Sequence, residues 1–167
     1  MTGSEQLELL HDFLVEAGEL LEGVDVKLVE LEGRPDDKTL LNEIFRGFHT
    51  IKGGAGFLEV AALVDVCHRT ETLFDSLRSG ARRLSPAMLD VILAATAEVR
   101  RMFGELAERA AADPAGASTL EALDRWIAGE PELGVDEQLQ AKILGRFVRS
   151  YDTGQRSLVG QRQRAVT

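Results

Sequence analysis

The chain has 167 residues, with 28 Asp/Glu against 19 Lys/Arg and a formal net charge of −9. That length holds one sizeable domain plus a tail, and 44% apolar with 28% charged residues is the balance of a globular chain, not a disordered one. Aromatics make up only 5%, which favours helices over a β-sandwich or barrel, and a single cysteine, Cys67, excludes an internal disulfide and any multi-cysteine zinc site.

The pattern predicts a series of helices. The first runs from about Ser4 to Leu31, with Leu7, Leu10, Leu14, Ala17, Leu21, Val24, Leu28 and Leu31 facing the core. Those steps alternate three and four, the seam of one helix face. Glu32 to Pro35 stops it, and Asp36 or Asp37 can cap the next helix. That helix places Leu41, Ile44, Phe45, Phe48, Ile51 and Ala55 on one side, and Gly53, Gly54 and Gly56 weaken its end. A third helix starts near Glu59 or Val60, buries Val60, Leu63, Val66, Cys67, Thr70, Phe74 and Leu77, and stops at Ser79-Gly80.

Ser85-Pro86 opens the fourth helix, with serine as cap and proline in the first turn. Its stripe is Leu89, Ile92, Leu93, Thr96, Val99, Phe103 and Leu106. After the Asp113–Gly116 loop, Ser118-x-x-Glu121 reads as a capping box for a short fifth helix carrying Leu120, Leu123 and Ile127. Gly129-Glu130-Pro131 ends it. The expected fold is all-α, an up-down-up-down four-helix bundle with an additional short C-terminal helix. Residues 1–128 form the domain. Residues 129–167 read as a linker with one helical pattern over 136–151, and the remainder reads as disordered. No internal repeat and no strand is expected.

Residues 1–137 carry 13 Lys/Arg and 27 Asp/Glu, whereas residues 138–167 carry 6 and 1. The acidic domain repels nucleic acid and anionic membrane, so neither is an expected partner. No apolar run approaches the ~18 residues of a membrane span. The acidic start lacks the basic and apolar regions of a signal peptide, so a cytoplasmic location is expected. The helical seams close against each other within one chain, so a monomer is expected.

One helix face stands out chemically. His49 follows the buried Phe48 and is turned about 100° from it. His49, Lys52, Gly53 and Gly56 stand at i, i+3, i+4 and i+7 on one face. Helical side chains lean toward the N-terminus, so residues three and four further on would cover His49. One of these is Lys52 and the other is glycine. A mid-helix glycine costs about 1 kcal/mol relative to alanine, which suits a site that a large partner must approach. The neighbouring cation suits a histidine that comes to carry a phosphoryl group. The plain alternative is a surface histidine before a helix end. On the third helix, His68 and Glu71 share a face. A carboxylate from there can accept the Nδ1–H of His49, fixing the tautomer and leaving Nε2 with a free lone pair.

His49-Thr50-Ile51-Lys52-Gly53-Gly54-Ala55 resembles the H-x-x-K-G-[GS]-[AS] signature of histidine phosphotransfer domains. The longer run from Ile44 to Leu58, followed by His68-Arg69-Thr70-Glu71 and preceded by Asp12-Phe13-Leu14-Val15-Glu16-Ala17, resembles the N-terminal phosphotransfer domain of the chemotaxis kinase CheA. The resemblance covers about residues 5–128. It implies that His49 is the phosphoacceptor, that Lys52 lies near the phosphoryl oxygens, that Glu71 orients the imidazole and that His68 belongs to the same hydrogen-bonded cluster. It also implies that Gly53 and Gly56 lie on the partner-docking face. It implies no cofactor in this domain; ATP and Mg²⁺ belong to partner domains, namely a CheA-type ATP-binding kinase domain and response-regulator receivers. The chain would be a carrier without catalytic activity of its own.

Two rival readings come from other classes. Glu8-x-x-His11 and Asp65-x-x-His68 have the spacing of di-iron carboxylate bundles; the inward carboxylates such a site also needs have only Glu43 and Glu98 as candidates, and neither sits clearly on a buried stripe. Alternatively, the bundle serves only to bind a helix in a groove, with His49 inert.

Overall fold

The structure is a computed structural model and describes residues 2–129. It contains α1 (Gly3–Gly33), α2 (Lys38–Phe57), α3 (Ala61–Arg78), α4 (Pro86–Arg109) and α5 (Ala117–Ala128), with no strand among the described residues. The helical pattern expected over 136–151 lies outside them.

The helix starts follow from local chemistry. The Thr2 N–H donates to the Glu5 carboxylate at 2.7 Å, which places the start of α1 at Gly3. Of the two candidate caps for α2, Asp37 acts: its carboxylate accepts from the Thr39 and Leu40 N–H groups at 3.0 and 3.2 Å. Ser85 Oγ accepts from the Met88 N–H at 3.2 Å, with Pro86 opening α4. The box expected at Ser118 does not form. Gly116 is the N-cap of α5, so Ser118 already lies inside the helix. The α4 side chains organise that start instead. Glu98 accepts from the Gly116 N–H at 3.2 Å, and Arg101 donates to the carbonyls of Asp113 and Pro114. Gly129, at φ +79°, closes α5 in the left-handed region that glycine tolerates best.

Residues 34–37, 58–60 and 79–85 join the first four helices, and links this short make consecutive helices antiparallel. α2 packs on α1 and α3, α4 closes the ring against α1 and α3, and α5 lies along α3 and α4. The result is an up-down-up-down four-helix bundle with one added helix. Leu21, Leu28, Ile44, Phe48, Leu63, Phe74, Ile92 and Met102 fill its centre, where the Phe48 and Phe74 rings stack at 6.0 Å. The two buried threonines satisfy their hydroxyls locally: Thr70 donates to Val66 O and Thr96 to Ile92 O, each at 2.8 Å.

Two seams depart from expectation. Leu7 is exposed, and α1 buries its seam fully only from Ala17 onward. α1 has 31 residues against 20 in α2, roughly 16 Å more along the axis, so its first turns run past the end of α2, and Leu7 lines an open cavity with Leu58 and Leu106 instead of packing. On α4 Leu93 is exposed, while Met88, Ala95 and Met102 are buried. α4 has three helical neighbours, and α5 moves its buried arc to a side that a four-helix pattern leaves open.

The glycines of α2 sort by what surrounds them. A Cβ on Gly47 would fall 2.6 Å from Val24 Cγ2, and one on Gly54 2.6 Å from the Phe13 ring. Both let α2 lie close on α1. The helix runs through the glycine cluster to Phe57 and is not ended by it.

Candidate functional site

Phe48 and Ile51 are fully buried, so the helix turns His49 outward, and its side chain is 61% exposed. α3 packs beside that face and delivers Glu71, whose side chain is only 13% exposed. Glu71 Oε1 lies 3.1 Å from His49 Nδ1. Glu71 Oε2 lies 2.6 Å from Lys52 Nζ. An ammonium this close to the buried Oε2 makes a charge-assisted ion pair with it. One carboxylate thus joins the two helices through two side chains one turn apart.

Burial pushes the Glu71 carboxyl up, but Lys52 and His49 outweigh it and hold the group below the ordinary glutamate range. Glu71 is therefore an anion, and an anionic carboxylate only accepts hydrogen bonds. His49 must donate from Nδ1, and the neutral ring then carries its lone pair on Nε2. Beneath the pair, burial first and the Glu71 charge second push the Cys67 thiol up to about 12, so it is an inert core group.

The structure brings His49, Lys52 and Glu71 together and leaves His68 apart. His68 is exposed on α3, beside Gly56, Val64 and Asp65, and its imidazole makes no hydrogen bond among the described residues. Its carbonyl accepts from the Thr72 hydroxyl at 2.9 Å. Gly53 borders open space, and a Cβ on Gly56 would meet only Val64 Cγ2, at 3.9 Å. Neither glycine is required by packing, unlike Gly47 and Gly54.

One more side chain adjoins the imidazole, and another backs that side chain. The Phe45 ring stacks on it at 5.9 Å between centroids and 12° between planes. The Arg78 guanidinium sits 3.6 Å from the centre of Phe45. In the sequence Phe45 belongs to the apolar stripe of α2, and no pattern marks Arg78. The spacing of Phe45 and His49, one helical turn apart, was the available signal.

The ligands of a di-iron site do not assemble. Among the described residues no group of three His, Cys, Asp or Glu side chains is placed to hold a metal. Glu98 is bound to Arg101 and the Gly116 N–H, and His11 lies exposed beside Asp12.

A four-helix bundle presenting an outward histidine, oriented through Nδ1 by a neighbouring helix, defines a phosphotransfer bundle as a class. The chain belongs to the Hpt domain family, whose family model matches residues 8–109. It is 44% identical over 86 residues to the sensor histidine kinase CheAY of Helicobacter pylori, covering 52% of this chain and 11% of that protein. It is similar in structure to the CheA phosphotransferase domain from Thermotoga maritima, at 34% identity and a TM-score of 0.59, over 60% of this chain and 96% of that one. The phosphorylated P1 domain of CheA3 from R. sphaeroides, solved in complex with CheY6, shares the fold at 22% identity and a TM-score of 0.68, over 74% and 98% of the two chains. The fold is thus that of CheA-type histidine phosphotransfer domains, and the chain spans about a tenth of the length of the curated relative. No described helix is long and apolar enough to cross a membrane.

Proposed function

We propose that His49 is the phosphoacceptor of this domain, receiving a phosphoryl group from a CheA-type kinase domain and passing it to the aspartate of a response-regulator receiver. The observation that carries this reading is the Nδ1–Glu71 contact at 3.1 Å on an exposed imidazole. The lone pair of Nε2 attacks the γ-phosphorus, the Nε2–P bond forms, and the bond to the bridging oxygen breaks as ADP leaves. Nε2 has no proton to lose, so the step needs no general base. The proton on Nδ1 stays in place, and Glu71 faces the positive charge that develops on the ring. In the second transfer the receiver carboxylate attacks phosphorus and the electron pair returns to Nε2.

Phosphoryl transfer has a loose transition state, so the protein contributes positioning and charge. Lys52 is one turn from His49 and already held by Glu71, within reach of a phosphoryl group placed on the ring. Gly53 and Gly56 leave the approach to that ring low. His68 borders the same face and contributes to docking, with no hydrogen bond to the Glu71 pair. ATP and Mg²⁺ are handled by the partner domains, and the transfer takes place in the cytoplasm. Residues 1–128 act as the monomeric carrier, and residues 129–167 act as a linker. CheA-type relatives and the phosphorylated neighbour solved with CheY6 support this reading.

The test is incubation of the chain with ATP, Mg²⁺ and a CheA kinase core, followed by mapping of acid-labile phosphate. Phosphate on His49, absent from His49→Gln, is the expected result. The side chain is exposed but bonds Glu71 and stacks on Phe45, so that substitution should cost about 1 kcal/mol of stability and leave the fold intact. Phosphate retained in His49→Gln and lost in His68→Gln would reassign the acceptor.

A further inference from the structure

The Glu71 contact fixes one point of the His49 ring but not its plane. The outer torsion of a histidine is broad, and an imidazole 61% exposed is not held by packing. A ring free to rock about the Nδ1 hydrogen bond would swing Nε2 through an arc, and in-line attack on phosphorus is sensitive to that direction. A second constraint is present. Phe45, one turn before His49 on α2, lies nearly parallel to the imidazole, with centroids 5.9 Å apart. This is the offset-stacked range for aromatic pairs.

Phe45 is itself held. The Arg78 guanidinium covers its face at 3.6 Å from the centroid, within cation–π distance. Arg78 is anchored in turn: its Nε donates to Asp75 at 2.8 Å, and its Nη1 reaches Asn42 Oδ1 at 3.4 Å. The chain of contacts therefore runs from the last turn of α3 across to α2 and ends on the reactive ring. Glu71, two turns earlier on α3, reaches the same ring from its Nδ1 edge. One helix thus sets both the edge and the plane of a histidine borne by the other.

We propose that Phe45 and Arg78 are positioning residues for phosphoryl transfer, clamping the plane of the His49 imidazole so that Nε2 keeps one direction of attack. The proposal rests on the phosphotransfer reading of His49, but the ring order it predicts exists without any kinase.

The experiment compares the full wild-type chain with Phe45→Leu, Arg78→Met and Phe45→Tyr. Methionine keeps an apolar stem in place of the cation, so Arg78→Met serves if Phe45→Leu loses its fold. Ring order is read from heteronuclear relaxation of the His49 imidazole C–H bonds. Transfer is read as kcat and KM for phosphorylation by a CheA kinase core. Phe45→Leu and Arg78→Met should lower ring order and reduce kcat about threefold to tenfold, with KM unchanged, a modest share of the hundredfold that misplacement can cost. Phe45→Tyr should restore both. Unchanged ring order in the folded variants overturns the proposal. So does a fall in kcat without a fall in order, which would make Arg78 an electrostatic group, and so does failure of Phe45→Tyr to rescue. A wild-type chain that takes no phosphate overturns the acceptor assignment, while its ring order still decides whether the clamp exists.

Discussion

Glu71 has one partner on each oxygen, and the two partners answer to different forces. Lys52 supplies the nearer charge, and His49 supplies an oriented hydrogen bond. Both hold the carboxyl below its ordinary range against the opposing effect of burial. A carboxyl depressed on folding contributes stability above its unfolded pKa and loses that contribution as pH falls through the folded value. The pair should therefore survive mild acid and open only below the ordinary glutamate range. Replacing Lys52 with Met removes the nearer charge and should raise the Glu71 midpoint. A carboxyl-carbon NMR titration of the two proteins checks the sign, and an unmoved midpoint would mean that the lysine contact is absent in solution.

Removing the carboxylate tests its other role. Glu71→Ala should slow phosphorylation by about 10- to 100-fold, by analogy with the cost of losing the carboxylate that orients a metal-bound histidine. The acceptor atom remains, so slow phosphorylation should persist. Glu71→Gln should fall between, because its carbonyl still accepts the Nδ1–H without carrying charge. Time courses on the three proteins, with ring nitrogen shifts reporting the tautomer, decide this. An alanine variant with unchanged rate and tautomer would reduce Glu71 to a structural ion pair.

Among the elements, α2 separates two uses of glycine. A Cβ on Gly47 would strike Val24, which is 2% exposed and β-branched. Gly47→Ala should therefore destabilise by about 1–3 kcal/mol through overpacking, despite better helix propensity. Gly53 borders open space. Gly53→Ala should stabilise by up to about 1 kcal/mol, while Gly53→Leu should keep the fold and block transfer by leaning over His49. Urea midpoints and transfer rates separate the two positions. Stability lost at Gly53, or unchanged transfer in Gly53→Leu, would place it with the packing glycines.

The same helix marks the limit of what sequence conveys. The three-and-four spacing identifies the buried face of α2, and the position of His49 one residue beyond Phe48 identifies the outward one. Glu71 was legible as an acid on the right face of the next helix. The split between Gly47 and Gly54 on one side and Gly53 and Gly56 on the other was not, because it depends on which helix lies opposite. Leu7 and Leu93 misread for a similar reason: periodicity records that a face is apolar, not how far a neighbouring helix extends or whether a fifth one joins. Ser118 fits a capping box in sequence, but Glu98 and Arg101, brought to the loop by the fold, set the start of α5 instead.

At the scale of the molecule, α5 lies beyond the family match, which ends at residue 109, yet it behaves as part of the bundle. Leu123 is fully buried. Arg69 on α3 pairs with Asp124 at 2.8 Å, and Arg82 donates to the Ile127 carbonyl at 2.9 Å. The exposed ion pair adds little by itself. The buried leucine decides the matter, since truncating such a side chain to alanine costs about 2–5 kcal/mol. Because α3 carries Glu71, a loosened α5 also removes support from the helix that orients His49. Leu123→Ala should lower the denaturation midpoint clearly. A chain ending after Gly129 should unfold as the full chain does, and one ending before Ala117 should be much less stable and slower in transfer. Equal midpoints for all three shortened or substituted proteins would make α5 an appendage, and the folding unit would then end with α4.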